Sequence, residues 1–250
     1  MYKVQLVKIL SFNTGYFLGY TGTPFDYLKN PLKSFKGSKT EYNNLDEFLS
    51  ILEAEEPDFV LTQEVDGGSI RTSTESQHQY IASRISKEYD SKFNTKYRGI
   101  LFPRAPMLRY MGNSVFFKQG TAEKHSLSIG RKNLVQEIKL EDFSIFSLHL
   151  STIGRWIRKQ QINELAALAN NRQDYIIAGD LNLHQGTAER NYLEKKLENP
   201  VLSPGKTFPA ENPTRKLDLV ASSENIEINN LQDLGTCFSD HRPISFEANL

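Results

Sequence analysis

Residues 174–184 read DYIIAGDLNLH. An apolar run of β-formers, Tyr175–Ile176–Ile177–Ala178, passes through Gly179 and ends on Asp180, Leu181 and Asn182. Positions i and i+2 of a strand share a face. The pattern therefore sets a carboxylate and a carboxamide side by side at the lip of a sheet. Such an ending to a buried strand calls for something polar at the sheet's edge.

The same ending recurs along the chain. The first strand-like run, Val4–Phe12, meets Asn13, and DFVLTQE carries Glu64 at its end. FSIFSLHLS carries His149, KLDLV carries Asp218, and CFSDHRPI sets Asp240 and His241 just before the last strand. In α/β proteins ligands gather off strand ends, where loops hold polar groups outside the core. The carboxylates and carboxamides are hard oxygen donors of the kind that suit Mg²⁺, with Mn²⁺ as a substitute. Two histidines without cysteine partners speak against structural zinc. No Walker loop and no G-x-S-x-G elbow is present, so a P-loop nucleotide site and acyl transfer through serine lack support.

Strand patterns occupy 4–12, 58–62, 114–118, 134–140, 143–150, 175–178, 217–221 and 243–248, with 134–140 and 143–150 forming a hairpin. Helical periodicity covers 45–52, 81–89, 156–169 and 189–197. Interleaved strands and helices predict an α/β protein with mixed sheets and helices outside. The chain has 250 residues, 38% of them hydrophobic, enough for one large domain. Lysine plus arginine and aspartate plus glutamate are 30 each, so no global field attracts polyanions. One cysteine, Cys237, excludes an internal disulfide framework and fits a reducing, cytoplasmic setting. It reads as a small core residue. The N-terminal run alternates polar and apolar residues and is no signal peptide, and no stretch is long enough to span a membrane.

The ordered motifs SFN, LTQEVD, GNSVFF, SLHLS, IIAGDLNL, KLDLV and SDHRPI, spread from Ser11 to Ile244, resemble those of the endonuclease/exonuclease/phosphatase superfamily of DNase I-like metal-dependent phosphoesterases. The resemblance implies a four-layered α/β sandwich, two mixed β-sheets face to face with helices outside, formed by residues 1–250 as one catalytic domain. It implies Glu64 as the principal metal ligand, Asn13 beside the metal orienting Glu64 or a metal-bound water, and Asp240 as a second metal contact. Asp180 would position or deprotonate the attacking water, and Asn182 would hydrogen-bond the phosphate or the nucleophile. His241 would donate to a phosphoryl oxygen, Asp218 would pair with His241, and His149 would be a second phosphate donor. His78, His125 and His184 match no motif and read as structural or surface residues.

Loops choose the substrate in this family. Residues 14–40 leave directly after Asn13 and read as a substrate-facing insertion mixing Tyr16, Phe17, Tyr20, Phe25, Tyr27 and Phe35 with four lysines. Such a mixture suits base stacking along a phosphate backbone, dipping into lipid headgroups, or plain packing, and Tyr20 is the stacking candidate. Arg71, the group Arg98, Arg104 and Arg109, and the group Arg155, Arg158 and Lys159 are candidate phosphate contacts. Trp156, Leu165 and Leu168 are expected to face the core. The expected activity is Mg²⁺-dependent hydrolysis of a phosphodiester by a monomer, with nucleic acid as the leading substrate and nuclease or DNA-end processing as the leading role. A lipid or inositol phosphate, with peripheral lipid contact, is the alternative, and an inactive phosphate-binding scaffold the third reading.

Overall fold

The computed structural model describes residues 6–23, 39–69, 72, 75–96, 108–184, 187–236 and 238–250. Its strands are β1 (Leu6–Asn13), β2 (Phe59–Asp66), β3 (Asp90–Thr95), β4 (Met111–Phe117), β5 (Thr121–Ser126) and β6 (Leu134–Lys139). They continue with β7 (Phe143–His149), β8 (Asp174–Asp180), β9 (Val201–Leu202), β10 (Asp218–Ser222), β11 (Glu227–Asp233) and β12 (Ile244–Asn249). The α-helices are α1 (Lys39–Glu55), α2 (Gln77–Ala82), α3 (Arg155–Asn170) and α4 (Thr187–Leu197).

The strands form two six-stranded mixed sheets, ordered β11-β12-β1-β2-β4-β3 and β5-β6-β7-β8-β10-β9. Ile9, Phe59, Val115 and Phe246 of the first sheet meet Ile138, Ile145, Ile176 and Val220 of the second in one buried layer. The other face of the first sheet (Leu10, Phe12, Val60, Phe116) packs on α1 through Leu45, Phe48 and Leu52. The other face of the second (Phe146, Leu148, Ile177, Leu219) packs on α3 and α4 through Ile162, Leu165, Leu193 and Leu197. Both faces of the central strands are therefore apolar, which is why IIA and FVL run without alternation. The arrangement is the α/β sandwich of the DNase I-like fold.

Four strands carried no readable signal. β3, β5 and β11 have mostly polar, half-exposed residues, and β9 has only two residues. Outer strands bury little and so lack apolar alternation. The helix expected over 81–89 is displaced to Gln77–Ala82. There the Ser76 hydroxyl caps Gln79 N at 3.3 Å, and Ser83 Oγ donates back to Tyr80 O at 3.0 Å as the helix ends.

Trp156 corrects a second expectation: it is 66% exposed, with its neighbour Ile153 at 83%. The apolar stripe of α3 runs instead through Ile162, Leu165, Ala166 and Ala169, with Leu168 partly buried against the same core.

Candidate active site

Strand register builds one side of the site. β7 and β8 are parallel with His149 opposite Asp180, and β10 is antiparallel to β8 with Asp218 opposite the same Asp180. The three residues thus stand in one row across three strands, as directly opposed residues do. Gly179 lets the row form. Its φ is 149°, and a Cβ there would lie 2.1 Å from Leu148 O. The strand ends at Asp180, and Asn182 follows with φ 51°. Simple alternation therefore does not set where Asn182 points. Its amide donates to Leu150 O at 3.1 Å, while its backbone N–H donates to Asp180 Oδ1 at 3.0 Å.

The first sheet supplies the opposite side. Asn13 ends β1 beside Gln63 of β2, and its amide crosses to Asp180 Oδ2 at 2.9 Å. Asn13 therefore orients Asp180, where the resemblance had it orienting Glu64 or a water. Its Oδ1 accepts from Gly15 N at 3.2 Å. Glu64 lies at a register shift between β2 and β4 with φ 57°, a strained setting for a residue with a Cβ. Thr14 Oγ1 donates to its carbonyl at 2.7 Å, and its N–H reaches Asn113 Oδ1 at 3.3 Å.

The loop before β12 closes the cluster. His241 Nδ1 lies 2.8 Å from Asp218 Oδ2, which also accepts from the Thr207 hydroxyl. His241 Nε2 faces Asp180 Oδ2 at 3.6 Å. Asp240 is half-buried. Its Oδ1 is 3.2 Å from Ser239 Oγ, which also donates to Asn13 O at 2.7 Å.

Charges follow from these contacts. Burial opposes ionisation of Asp180, but His149 (Nε2 to Oδ2, 3.0 Å) and His241 hold its carboxyl well below the usual range. Burial also opposes the His241 cation, yet Asp218 and Asp180 raise it to about 10. The Asp218–His241 pair shares a proton that resides on the ring. Burial and the Lys132 ammonium hold His149 down at about 4, a neutral imidazole whose Nε2 abuts Lys132 Nζ. Burial opposes the charge on Glu64 as well, but Lys96 and Lys132, with Nζ atoms 3.3 and 3.2 Å from Oε1, keep it ionised.

A sequence model of the family described as endonuclease/exonuclease/phosphatase matches residues 10–241. The chain belongs to the endonuclease/exonuclease/phosphatase family. It is accordingly a metal-dependent phosphoric ester hydrolase. Similar solved structures include an endonuclease/exonuclease/phosphatase family protein from Bacteroides thetaiotaomicron, 14% identical, TM-score 0.70, covering 100% of this chain and 99% of that one. A mannosyl-6-phosphatase from Bacteroides thetaiotaomicron VPI-5482 is 14% identical, TM-score 0.66, with 97% and 99% covered. A humanized D. rerio TDP2 is 14% identical, TM-score 0.61, with 98% and 99% covered. A search of curated proteins by sequence found no match.

The donor chemistry of this family member fits a hard divalent ion. Glu64, Asp180, Asp218 and Asp240 set four carboxylates against the three cations Lys96, Lys132 and His241, so the cluster carries a net negative charge. His149 Nδ1 is buried with no hydrogen-bond partner, 3.8 Å from Glu64 Oε1. Donor atoms of Asp180, Asp218 and His241 also lie within 4.8 Å of one another, but the protonated His241 has no lone pair to offer and is paired to Asp218, so that trio is an ion-pair cluster beside the oxygen donors. A second trio, Glu123, His125 and Glu137, is equally close. There Arg172 takes both Glu137 oxygens at 2.6 and 3.0 Å, and Lys139 takes Glu123 at 2.7 Å, which makes it an ion-pair network on the outer strands.

Asn13, Glu64, His149, Asp180, Asn182, Asp218 and His241 are drawn together by these contacts, with Asp240 at the rim. The substrate-contact candidates fare differently. Arg71, Arg98, Arg104 and most of the 14–40 insertion lie outside the described residues, as does Cys237. Tyr20 is 7% exposed in a cluster with Tyr16, Leu18 and Met111, a packing position without an open face for stacking. Arg158 is buried. It grips Glu189 at 3.0 and 3.1 Å and the carbonyls of Ser151 and Thr152 at 3.1 and 2.9 Å, so it ties the β7–α3 loop down and reaches no substrate. Arg155 and Lys159 stay exposed beside Trp156 and line a cleft of about 420 Å³ with Tyr192. Sequence reading missed Lys96, Lys132, Thr207 and Gln161, none of which sits in a recognisable motif.

Proposed function

We propose that this enzyme hydrolyses a phosphodiester by in-line attack of water, with nucleic acid as its substrate and nuclease or strand-end processing as its role. The observation that carries the reading is the opposed row His149–Asp180–Asp218, closed by a charged His241 and faced by Asn13 and Glu64. Asp180 is fixed by three side chains and one backbone N–H and is held ionised. That suits it to accept a hydrogen bond from water and aim the oxygen at phosphorus. His241, locked by Asp218, keeps its proton on Nε2 for a phosphoryl oxygen gaining charge in the transition state. Asn182 holds the β7 end through Leu150 O, which leaves its Oδ1 for the nucleophile. His149, neutral and buried, has one ring N–H; given from Nε2 to Asp180 at 3.0 Å, it braces that carboxylate and leaves Nδ1 as an acceptor, so the phosphate-donor role expected of it is not carried by this tautomer.

Glu64, Asp240 and Asn13 would hold the metal, with Mg²⁺ preferred and Mn²⁺ as a substitute, because the donors are oxygens. When bound, that ion neutralises charge on the phosphoryl or leaving oxygen. The exposed pair Arg155 and Lys159 beside Trp156 supports a polyanionic strand with bases. The exposure of Ile153 and Trp156 favours one second reading, a lipid phosphate at an interface. We take the enzyme as one catalytic domain working as a cytoplasmic monomer; no helix among the described residues is long and apolar enough to cross a membrane.

The test is an assay with Mg²⁺, Mn²⁺ or EDTA on single-stranded, duplex and abasic DNA, RNA, sphingomyelin, inositol phosphates and a bis-aryl phosphate. Metal-dependent cleavage of nucleic acid, lost in a folded Asp180→Asn variant, is the expected result. Activity confined to the lipid or inositol substrates removes the nuclease reading. Full activity of Asp180→Asn removes the site assignment, and inactivity on every substrate revives the scaffold.

A further inference from the structure

Two lysines share Glu64 Oε1, and they differ in kind. Lys96 is 1% exposed, comes from the end of β3, and lies with Nζ 5.0 Å over the Tyr16 ring. It is a fixed counter-ion. Lys132 arrives from the opposite sheet, on the loop between β5 and β6, and its side chain keeps 20% exposure. With Lys96 already paired to Glu64, Lys132 is the second ammonium on the same carboxylate oxygen and the more exposed of the two.

The loop is built to hold Lys132 there. Gln161 of α3 donates to Ile129 O at 2.9 Å and to Lys132 O at 2.7 Å, while its Oε1 accepts from Ser151 N at 3.0 Å. Both amide hydrogens and the carbonyl are thereby used. One fully buried side chain thus ties the Lys132 loop to the loop that follows His149. Asn133 returns to Leu127 O at 3.1 Å, and Ser128 N donates to Glu164 at 2.6 Å. Gly130, at φ 97°, presses so close that a Cβ would sit 2.5 Å from Ser151 Oγ and 2.6 Å from Gln161 Nε2. A solvated surface lysine needs none of this support. A cation held against Glu64 and His149, with part of its side chain still open to an arriving anion, does.

We propose that Lys132 binds a non-bridging oxygen of the substrate's phosphoryl group, across the site from His241. The assignment rests on the reading of the Asp180 cluster as the reaction centre.

Lys132→Met and Lys132→Arg test it in the full chain, in two assays. The first is calorimetric titration with inorganic phosphate in EDTA, which depends on neither metal nor turnover. Lys132→Met is expected to weaken phosphate binding by about tenfold or more, the worth of one charge at contact distance in a partly screened site. Lys132→Arg should recover part of the loss. The second is steady-state cleavage of a bis-aryl phosphate with Mg²⁺, where kcat/KM of Lys132→Met should fall by roughly 10²–10³, as for loss of one oriented donor. Phosphate affinity and kcat/KM both within about twofold of the parent would overturn the assignment. Asp180→Asn, run alongside, separates the two claims. If it is inactive while Lys132→Met behaves like the parent, only the lysine's role fails. If it turns over normally, both fail.

Discussion

Asp218 and His241 touch at 2.8 Å with side chains 3% and 4% exposed, which lets activity and stability be pulled apart. In His241→Gln the Asp218 carboxylate stays buried with only the Thr207 hydroxyl as partner. Breaking one side of a buried ion pair costs about 3–5 kcal/mol. Asp218→Asn is gentler, because His241 can shed its proton, and about 1–3 kcal/mol is expected for the polar contacts disturbed. The double variant His241→Gln/Asp218→Asn buries neither charge, so it should be more stable than His241→Gln alone. Turnover should behave otherwise. If Asp218 acts only through His241, each single loses roughly 10²–10³ in kcat, and the double loses no more than the worse single. Independent roles would multiply to about 10⁴–10⁶. Urea unfolding followed by circular dichroism reads the first quantity, and bis-aryl phosphate cleavage with Mg²⁺ reads the second. A double variant that is both multiplicatively slower and no more stable than His241→Gln would refute the pairing argument.

Away from the site, Glu137 is fully buried. Burial resists its charge, but Arg172, Ser144 and His125 hold the carboxyl down to about 2 from an ordinary 4.5. A depressed carboxylate stabilises the fold above its unfolded value and loses that contribution as pH falls from about 4.5 through about 2. The ceiling is about 3 kcal/mol, and the 28% exposure of Arg172 trims it by screening. Arg172→Met should therefore narrow the stability difference between pH 6 and pH 3; identical pH slopes in parent and variant would contradict this. Trp156→Ser should change Tm little, with a stability effect within about 0.5 kcal/mol as at exposed sites. A loss of 3 kcal/mol or more, typical of a core tryptophan, would mean that the indole is buried after all.

The central strands and the motif residues were legible because both faces of those strands are apolar and the chain then stops abruptly on a polar group. IIAGD and FSLH state their own depth and their own ends. β3, β5 and β11 were illegible because an outer strand needs only backbone partners, and its side chains face water. Trp156 misled because periodicity fixes a stripe only to within a turn, and the stripe of α3 begins at Ile162. Arg158 misled for a different reason. A charge pattern on a helix does not disclose a buried partner 31 residues away. Lys132 left no mark at all, since its position depends on Gln161 and Gly130, two residues whose role exists only once the loop is folded against α3.

The backbone exceptions in this protein bear on why the site lies where it does. Glu64 at φ 57° and Asn182 at φ 51° are non-glycine residues in left-handed conformations. Each sits where regular strand geometry gives out, Glu64 at the β2–β4 register shift and Asn182 just beyond β8. A regular β2 would send Glu64 to alternate with Gln63 and Val65, into one sheet face or the other, both of which are apolar core. The irregularity instead turns the carboxylate toward Lys96, Lys132 and His149. Left-handed backbone at such a residue costs of order 1–3 kcal/mol, and the surrounding contacts must over-determine it. Thr14 on its carbonyl and Asn113 on its N–H do so at Glu64; the Asp180 carboxylate does so at Asn182 N. Asp180 is thus both a functional group and a brace of the fold, and Asn13, donating to Asp180 Oδ2 at 2.9 Å, holds that brace in place. Their substitution should register in stability as well as in rate, whereas the partly exposed Lys132 should register in phosphate binding and rate alone.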